Sequence, residues 1–135
     1  MVDFFKKLND KLGHVGGDQI LAGLARIAQT NCRITDLVCR YGGEEFAILL
    51  PETPKDQAVL YCERLRSMIE KNLFQVRHSP EGVQITVSVG MANYPDDAQD
   101  PGELIRKADQ AMYMAKQGGR NRVCFYSGDG SLRTS

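Results

Sequence analysis

Arg40-Tyr41-Gly42-Gly43-Glu44-Glu45-Phe46 sets two adjacent carboxylates directly behind a double glycine, between the apolar runs Leu37-Val38-Cys39 and Phe46-Ala47-Ile48-Leu49-Leu50. The pattern predicts a β-hairpin with an acidic tip. A two-residue hairpin turn takes positive φ at both central positions, which glycine adopts without steric cost, so Gly42 and Gly43 are expected to form the loop. They also let a ligand approach the backbone closely. With that loop Tyr41 pairs with Glu44 and Arg40 with Glu45, and period-two alternation puts Glu44 on the face of Phe46 and Ile48. A carboxylate on that face needs a partner, and a hard cation such as Mg²⁺ suits it. On the hairpin alone, two glutamates that merely keep the tip soluble fit equally well.

Outward from the hairpin, residues 17–30 carry Ile20, Leu21, Leu24, Ile27 and Ala28 at the spacing of one helical face, with Asp18 near its start. Pro51 closes the second strand; Thr53 as N-cap, Pro54 at the first helical position and the stripe Ala58, Cys62, Leu65, Ile69 predict a helix to about Asn72. Val83 to Val89 alternates strictly and is expected to be one strand with a polar side. Asp100-Pro101-Gly102-Glu103 is a capping-box pattern that opens a helix ending at Gly118, and Val123 to Tyr126 reads as a short last strand. The order predicts an α/β, two-layer sandwich with a mixed sheet and flanking helices. Residues 1–126 form the expected domain, and 127–135 a disordered tail.

With 135 residues the chain suits one domain. Seventeen basic and seventeen acidic residues cancel, which argues against bulk binding to a nucleic acid polymer or an anionic membrane. Cys32, Cys39, Cys62 and Cys124 include no C-x-x-C pair and read as buried free thiols of a reducing cytoplasm. No apolar run is long enough for a membrane span, and His14 and His78 are assigned to no metal.

Asp3-Phe4-Phe5-Lys6-Lys7-Leu8-Asn9-Asp10, Gly13-His14, Gly17-Asp18, the Arg40-to-Phe46 stretch, Thr86-Val87-Ser88-Val89-Gly90 and Ala108 to Lys116 with Gly119-Arg120-Asn121 together resemble the GGDEF domain of bacterial diguanylate cyclases, in its GGEEF variant. The resemblance implies a palm-type nucleotide cyclase fold that condenses two GTP molecules into cyclic di-GMP and two pyrophosphates. It implies Glu44 as metal ligand and catalytic residue and Glu45 as the other catalytic acid, with Mg²⁺ or Mn²⁺ as cofactor. Gly42 and Gly43 match the turn against the nucleotide phosphates, Asn9 and Asp18 the pair on the guanine edge, and Lys6, Lys116 and Arg120 the groups around the phosphates. Arg33-Ile34-Thr35-Asp36 resembles the family's R-x-x-D inhibitory site for cyclic di-GMP, with Arg64 as its secondary arginine. Taken singly these residues also read as a turn at Asn9-Asp10, helix-end charges at Asp18, Lys116 and Arg120, and a surface ion pair between Arg33 and Asp36.

The chain departs from the family at its start. The family's D-x-D pair ends the first core strand; here Met1 stands at the first Asp and only Asp3 matches. The first strand is largely missing, which predicts an N-terminally truncated domain. Catalysis in the family needs two domains facing each other as a homodimer, so the resemblance implies a dimeric enzyme or, as the alternative, an impaired module that senses cyclic di-GMP or GTP.

Overall fold

The computed structural model describes residues 1–135 except His78, so the reading of His78 as no metal ligand lies outside the described residues. Among the described residues ten elements follow in order: α1 (Phe5–Thr30), β1 (Leu37–Arg40), β2 (Phe46–Leu49), α2 (Lys55–Lys71), β3 (Phe74–Val76), β4 (Ser79–Val83), β5 (Val89–Met91), α3 (Pro101–Gln117), β6 (Val123–Tyr126) and β7 (Leu132–Thr134). β1 and β2 form an antiparallel pair, as do β3 and β4, while β5 runs parallel to β6 and β6 antiparallel to β7.

Met1-Val2-Asp3 stitches these pieces together. Val2 N donates to Glu44 O at 3.1 Å on the hairpin side, and on the other side Asp3 N donates to Thr86 O at 2.9 Å and Ser88 N to Met1 O at 3.0 Å. Val2, fully buried, bridges Val87 in antiparallel fashion. The N-terminal residues therefore lie centrally between the hairpin and the strand region. The main core gathers Val2, Phe5, Ile20, Leu21, Leu24, Leu65, Ile69, Phe74, Val76, Ile85 and Val87, with Phe46 and Ile48 packed against it. Burying each of the larger aliphatic or aromatic side chains stabilises the fold by about 1.5–3 kcal/mol.

The apolar stripe of α2 is buried as its spacing predicts, and Asp100 Oδ1 accepts from Glu103 N at 2.9 Å as the N-cap of α3. α2 starts one residue later than expected: Pro54 is its N-cap and Thr53 Oγ1 donates to Pro51 O. Four other expectations are corrected. Asn9 and Asp10 form no turn; they are helical, because α1 begins at Phe5 and only kinks at Gly13. Val83 to Val89 is not one strand, since ladder partners exist only for Val83, Val87 and Val89 onward. Residues 127–135 are not a disordered tail: Ser127 N donates to Ser131 O in a turn that returns the chain as β7 against β6. The cysteines are free, but only Cys62 and Cys124 are buried, with Cys32 half-buried and Cys39 exposed. Burial pushes the Cys62 thiol up to about 12.

The hairpin register also differs by one residue. Arg40 pairs with Phe46 and Cys39 with Ala47, and Tyr41 N and Gly42 N both donate to Glu45 O, so Gly42, Gly43 and Glu44 lie in the loop. Neither Gly42 nor Gly43 takes positive φ. The cause is a clamp: Arg40 donates from Nε to Gly42 O and from Nη2 to Gly43 O at 2.7 Å, while Glu44 O is taken by Val2 N. Glu44 is thereby lifted out of the ladder, and strand alternation no longer governs where it points.

Candidate functional site

Asp3 forms the floor of the site. Its buried carboxylate accepts from Thr86 Oγ1 at 2.7 Å and Asn121 N at 3.1 Å through Oδ2, and from Ser88 Oγ at 2.7 Å through Oδ1. Burial draws the neighbouring Met1 ammonium below its usual pKa, Asp3, Glu45 and Glu44 oppose that fall, and Lys116 adds to it. Those four charges therefore act on the Met1 ammonium, and the Val2 N to Glu44 O bond holds the chain start against the hairpin tip.

Two lysines lie near the ends of their helices. Lys6 is exposed in the first turn of α1, and Lys116 lies in the last turn of α3. Beyond α3 the chain turns sharply: Arg120 N donates to Ala115 O at 2.9 Å, and Arg120 and Asn121 hold φ of 63° and 45°. Left-handed backbone costs non-glycine residues about 1–3 kcal/mol each, and it persists where the surroundings over-determine it. The turn sets the Arg120 guanidinium 4.4 Å from the centroid of the Phe4 ring, whose far neighbour is Lys7 Nζ at 5.3 Å.

The kink in α1 brings Asn9 against Gly17, beside Asp18. Gly13, at φ 73° and ψ 167°, occupies a region essentially restricted to glycine, and it angles the first two turns of α1 against the rest. Asn9 then packs on Gly17 so tightly that a Cβ there would lie 1.8 Å from Asn9 Oδ1. Asp18, exposed, is the next residue. Asn9 Oδ1 is buried and has no partner among the described residues. A buried carbonyl oxygen left unpaired costs about 1–3 kcal/mol and marks a place for an external donor.

At the hairpin tip, Glu44 and Glu45 are half-buried, and Glu45 Oε2 lies 2.9 Å from where a Cβ on Gly42 would sit. A Cβ on Gly43 would meet nothing within 4 Å, so the fold itself makes no demand for glycine there. Neither glutamate side chain has a hydrogen-bond partner among the described residues, which leaves both free for a cation. No cluster of three or more acidic, His or Cys side chains suited to a metal exists among the described residues, and the oxygens of Asp3 are engaged. The donor set fits Mg²⁺ only if phosphate oxygens and water complete its octahedral shell, which is how that ion usually binds beside nucleotides.

A second cleft of about 300 Å³ opens between the α1–β1 connection and α2, lined by Arg33, Asp36, Tyr61 and Arg64 among others. Arg33 and Asp36 form no side-chain ion pair: Asp36 Oδ2 accepts from the Arg33 backbone N at 2.7 Å, and Asp36 Oδ1 is buried without a partner among the described residues. Both guanidinium groups stay available, Arg64 lying 5.7 Å from the Tyr61 ring centroid. Desolvation and the hydrogen bond with Cys32 Sγ at 3.0 Å push the Tyr61 hydroxyl upward in pKa, so it remains a neutral donor or acceptor at the cleft wall.

The family described as "Diguanylate cyclase, GGDEF domain" matches residues 1–122. This chain is a GGDEF domain. The GGDEF chain is 40% identical over 122 residues to the response regulator PleD of Caulobacter vibrioides, covering 90% of itself and 27% of that protein. It superposes with TM-score 0.84 and 33% identity on the active GGEEF domain of a diguanylate cyclase from Vibrio cholerae, covering 93% of this chain and 78% of that one. It also matches the GGDEF domain of DgcB from Caulobacter crescentus, in complex with c-di-GMP, with TM-score 0.84 and 33% identity, covering 92% of this chain and 72% of that one. Its mixed layers are the palm-type cyclase fold. The chain spans only about a quarter to a third of the length of the curated relatives it matches.

The structure leaves Glu44 and Glu45 adjacent and half-buried at the hairpin tip, sets Asn9 against Gly17 beside Asp18, and gathers Arg33, Asp36 and Arg64 around a separate cleft. Sequence reading assigned no role to Thr86 and Ser88, whose hydroxyls fix Asp3, nor to Asn121 and Tyr61. One signal was present: two hydroxyl residues on the polar side of a β-branched run imply a polar partner once that side is buried.

Proposed function

We propose that this domain is the catalytic module of a diguanylate cyclase. Each of two GTP molecules offers its 3′-hydroxyl oxygen to the α-phosphorus of the other; two P–O bonds form, two bonds to pyrophosphate break, and the hydroxyl protons leave with the products or solvent. The observation that carries the reading is a hairpin tip whose glutamates have no partner among the described residues, bonded through Glu44 O to the chain start, together with the buried, unpaired Asn9 Oδ1.

Asn9 and Asp18 accept from the N1–H and exocyclic amine of guanine; the unpaired Asn9 Oδ1 supplies a buried acceptor that adenine, lacking both donors on that edge, would leave unsatisfied. Lys6, Lys116 and Arg120 neutralise triphosphate charge, and Gly43, open to solvent, leaves room for phosphate against the loop backbone. Glu44, with Glu45 beside it, would hold a divalent cation together with the phosphates. Such an ion, when bound, polarises phosphoryl oxygens and lowers the pKa of an attacking hydroxyl. Each domain holds one nucleotide, so two domains must face each other across a two-fold axis. A cytoplasmic setting suits the GTP substrate, and among the described residues no helix is long and apolar enough to cross a membrane.

The second cleft supports product feedback: two unpaired guanidinium groups and the unpartnered Asp36 Oδ1 match the phosphates and donor edges of cyclic di-GMP. The committed oxygens of Asp3 favour a second reading, a module that binds nucleotide but turns over poorly. Incubating the full-length, dimerised protein with GTP and Mg²⁺ and detecting cyclic di-GMP by mass separates the two. Product supports the cyclase; its absence alongside tight cyclic di-GMP binding supports the sensor. Calorimetry should show Arg33→Ala weakening cyclic di-GMP at least about tenfold, the scale of one charge-assisted hydrogen bond, and unchanged affinity would remove that cleft from the account.

A further inference from the structure

Arg120 gets no hydrogen bond from its own side chain to hold it in place among the described residues, yet its backbone is in the left-handed region with Gly119 before it and Asn121 after it. Arginine has no intrinsic reason to adopt that region, whereas asparagine is among the residues that tolerate it. The restraint has to come from a neighbour, and Asn121 is the one tied on every side.

Its backbone N donates to Asp3 Oδ2 at 3.1 Å, its Nδ2 donates to Glu70 Oε1 at 2.7 Å, and its Oδ1 accepts from Arg66 Nη1 at 2.7 Å. Arg66 is itself fixed by Glu63 Oε2 and Glu70 Oε2, both at 2.9 Å. All three of those residues stand on one face of α2, so a rigid helix grips the loop one residue beyond the phosphate-side arginine. Arg122 Nε donates back to Arg120 O at 3.0 Å and closes the turn. On the other side Phe4 offers its ring to the Arg120 guanidinium.

We infer that Asn121 is a positioning residue: held by Arg66 and Glu70, it sets the backbone of Arg120 so that the guanidinium, laid over Phe4, faces the substrate phosphates. The inference rests on the reading of Arg120 as a triphosphate-binding group. Asn121 touches no substrate itself. Its effect is confined to the phosphate end, because Asn9 and Asp18 belong to α1 and share none of its partners.

The measurement is the ratio of GTP to GMP affinity, by calorimetry on the full-length protein in Mg²⁺ buffer, for the parent, Arg120→Ala, Asn121→Ala, the double variant and Glu70→Gln. Asn121→Ala should narrow the ratio by about tenfold, the worth of one charge-assisted contact to phosphate. Glu70→Gln keeps one oxygen for Asn121 Nδ2 but sets its amide NH2 against the Arg66 guanidinium, and should narrow the ratio less than Asn121→Ala does. In the double variant Asn121→Ala should add nothing to Arg120→Ala, since residues acting through one another are not additive. A general loss of stability would move both nucleotides together and leave the ratio alone. A parent ratio in Asn121→Ala, or effects that multiply in the double variant, overturns the positioning role. An unchanged ratio in Arg120→Ala would instead remove the phosphate reading on which it stands.

Discussion

Asp3 and the Glu44–Glu45 pair both act on the Met1 ammonium and are used in opposite ways. Both oxygens of Asp3 are spent on Thr86, Ser88 and Asn121, so that it holds the 86–88 stretch to the loop after α3. The two glutamates take no hydrogen bond from any described side chain, and the hairpin register lifts Glu44 out of the ladder. A buried carboxylate with both oxygens engaged is architecture; a half-buried one with neither engaged is capacity for a ligand. Proximity to a site therefore does not make an acid catalytic.

The sharpest way to break this contrast is to remove each acid in turn. Asp3→Ala strands two hydroxyls and a backbone N–H, so urea unfolding should show a loss of about 3 kcal/mol or more. Glu44→Gln should stay within about 0.5 kcal/mol of the parent, as surface changes do. Initial rates of cyclic di-GMP formation should reverse the order among folded proteins: Glu44→Gln falls about 100-fold, the scale of losing one electrostatic group at developing charge. Equal stability losses for the two variants would erase the distinction.

Two glycines extend the contrast to space. Gly17 is required by the protein, because a Cβ there would collide with Asn9 Oδ1 and come within 3.1 Å of Phe5. Gly43 is required by nothing in the fold. Gly17→Ala should displace Asn9, raise the KM for GTP about tenfold and destabilise by about 1–3 kcal/mol through overpacking. Gly43→Ala should leave the unfolding midpoint in place and still weaken GTP binding. If Gly43→Ala binds GTP like the parent, the open space over the loop serves no ligand.

How much of this the sequence revealed depends on the range of the interaction involved. The stripe of α2 and the Asp100 cap of α3 are local, since side chains three to four residues apart decide them, and both were legible. The strand expected over 83–89 failed because alternation reports which face is buried, not whether a partner strand runs alongside; only Val2 bridges that middle stretch. The hairpin register failed for a related reason, as it is fixed by Arg40 on two carbonyls and by Val2 on a third, and only the first of these is local. Of the site, family resemblance gave the residues proposed to meet ligand. It gave nothing on Asn121 or Tyr61, because their roles arise where α2 meets a loop or a cleft and no short spacing announces them.

The smallest expected effect tests the committed side at its outer member. The Asn121 amide first, then Arg66, hold the Glu70 carboxyl below its ordinary pKa. A carboxyl whose pKa is depressed on folding contributes stability in full above its unfolded value, about 4.5, and loses it as pH falls through the lower folded value. Urea midpoints at about pH 7 and about pH 3.5 should therefore drop further for the parent than for Glu70→Gln, which has no carboxyl to protonate. The difference between the two drops reports the protonation of Glu70. Were the drops the same, Glu70 would be accepting nothing that matters, and Asn121 would be held by Arg66 and Asp3 alone.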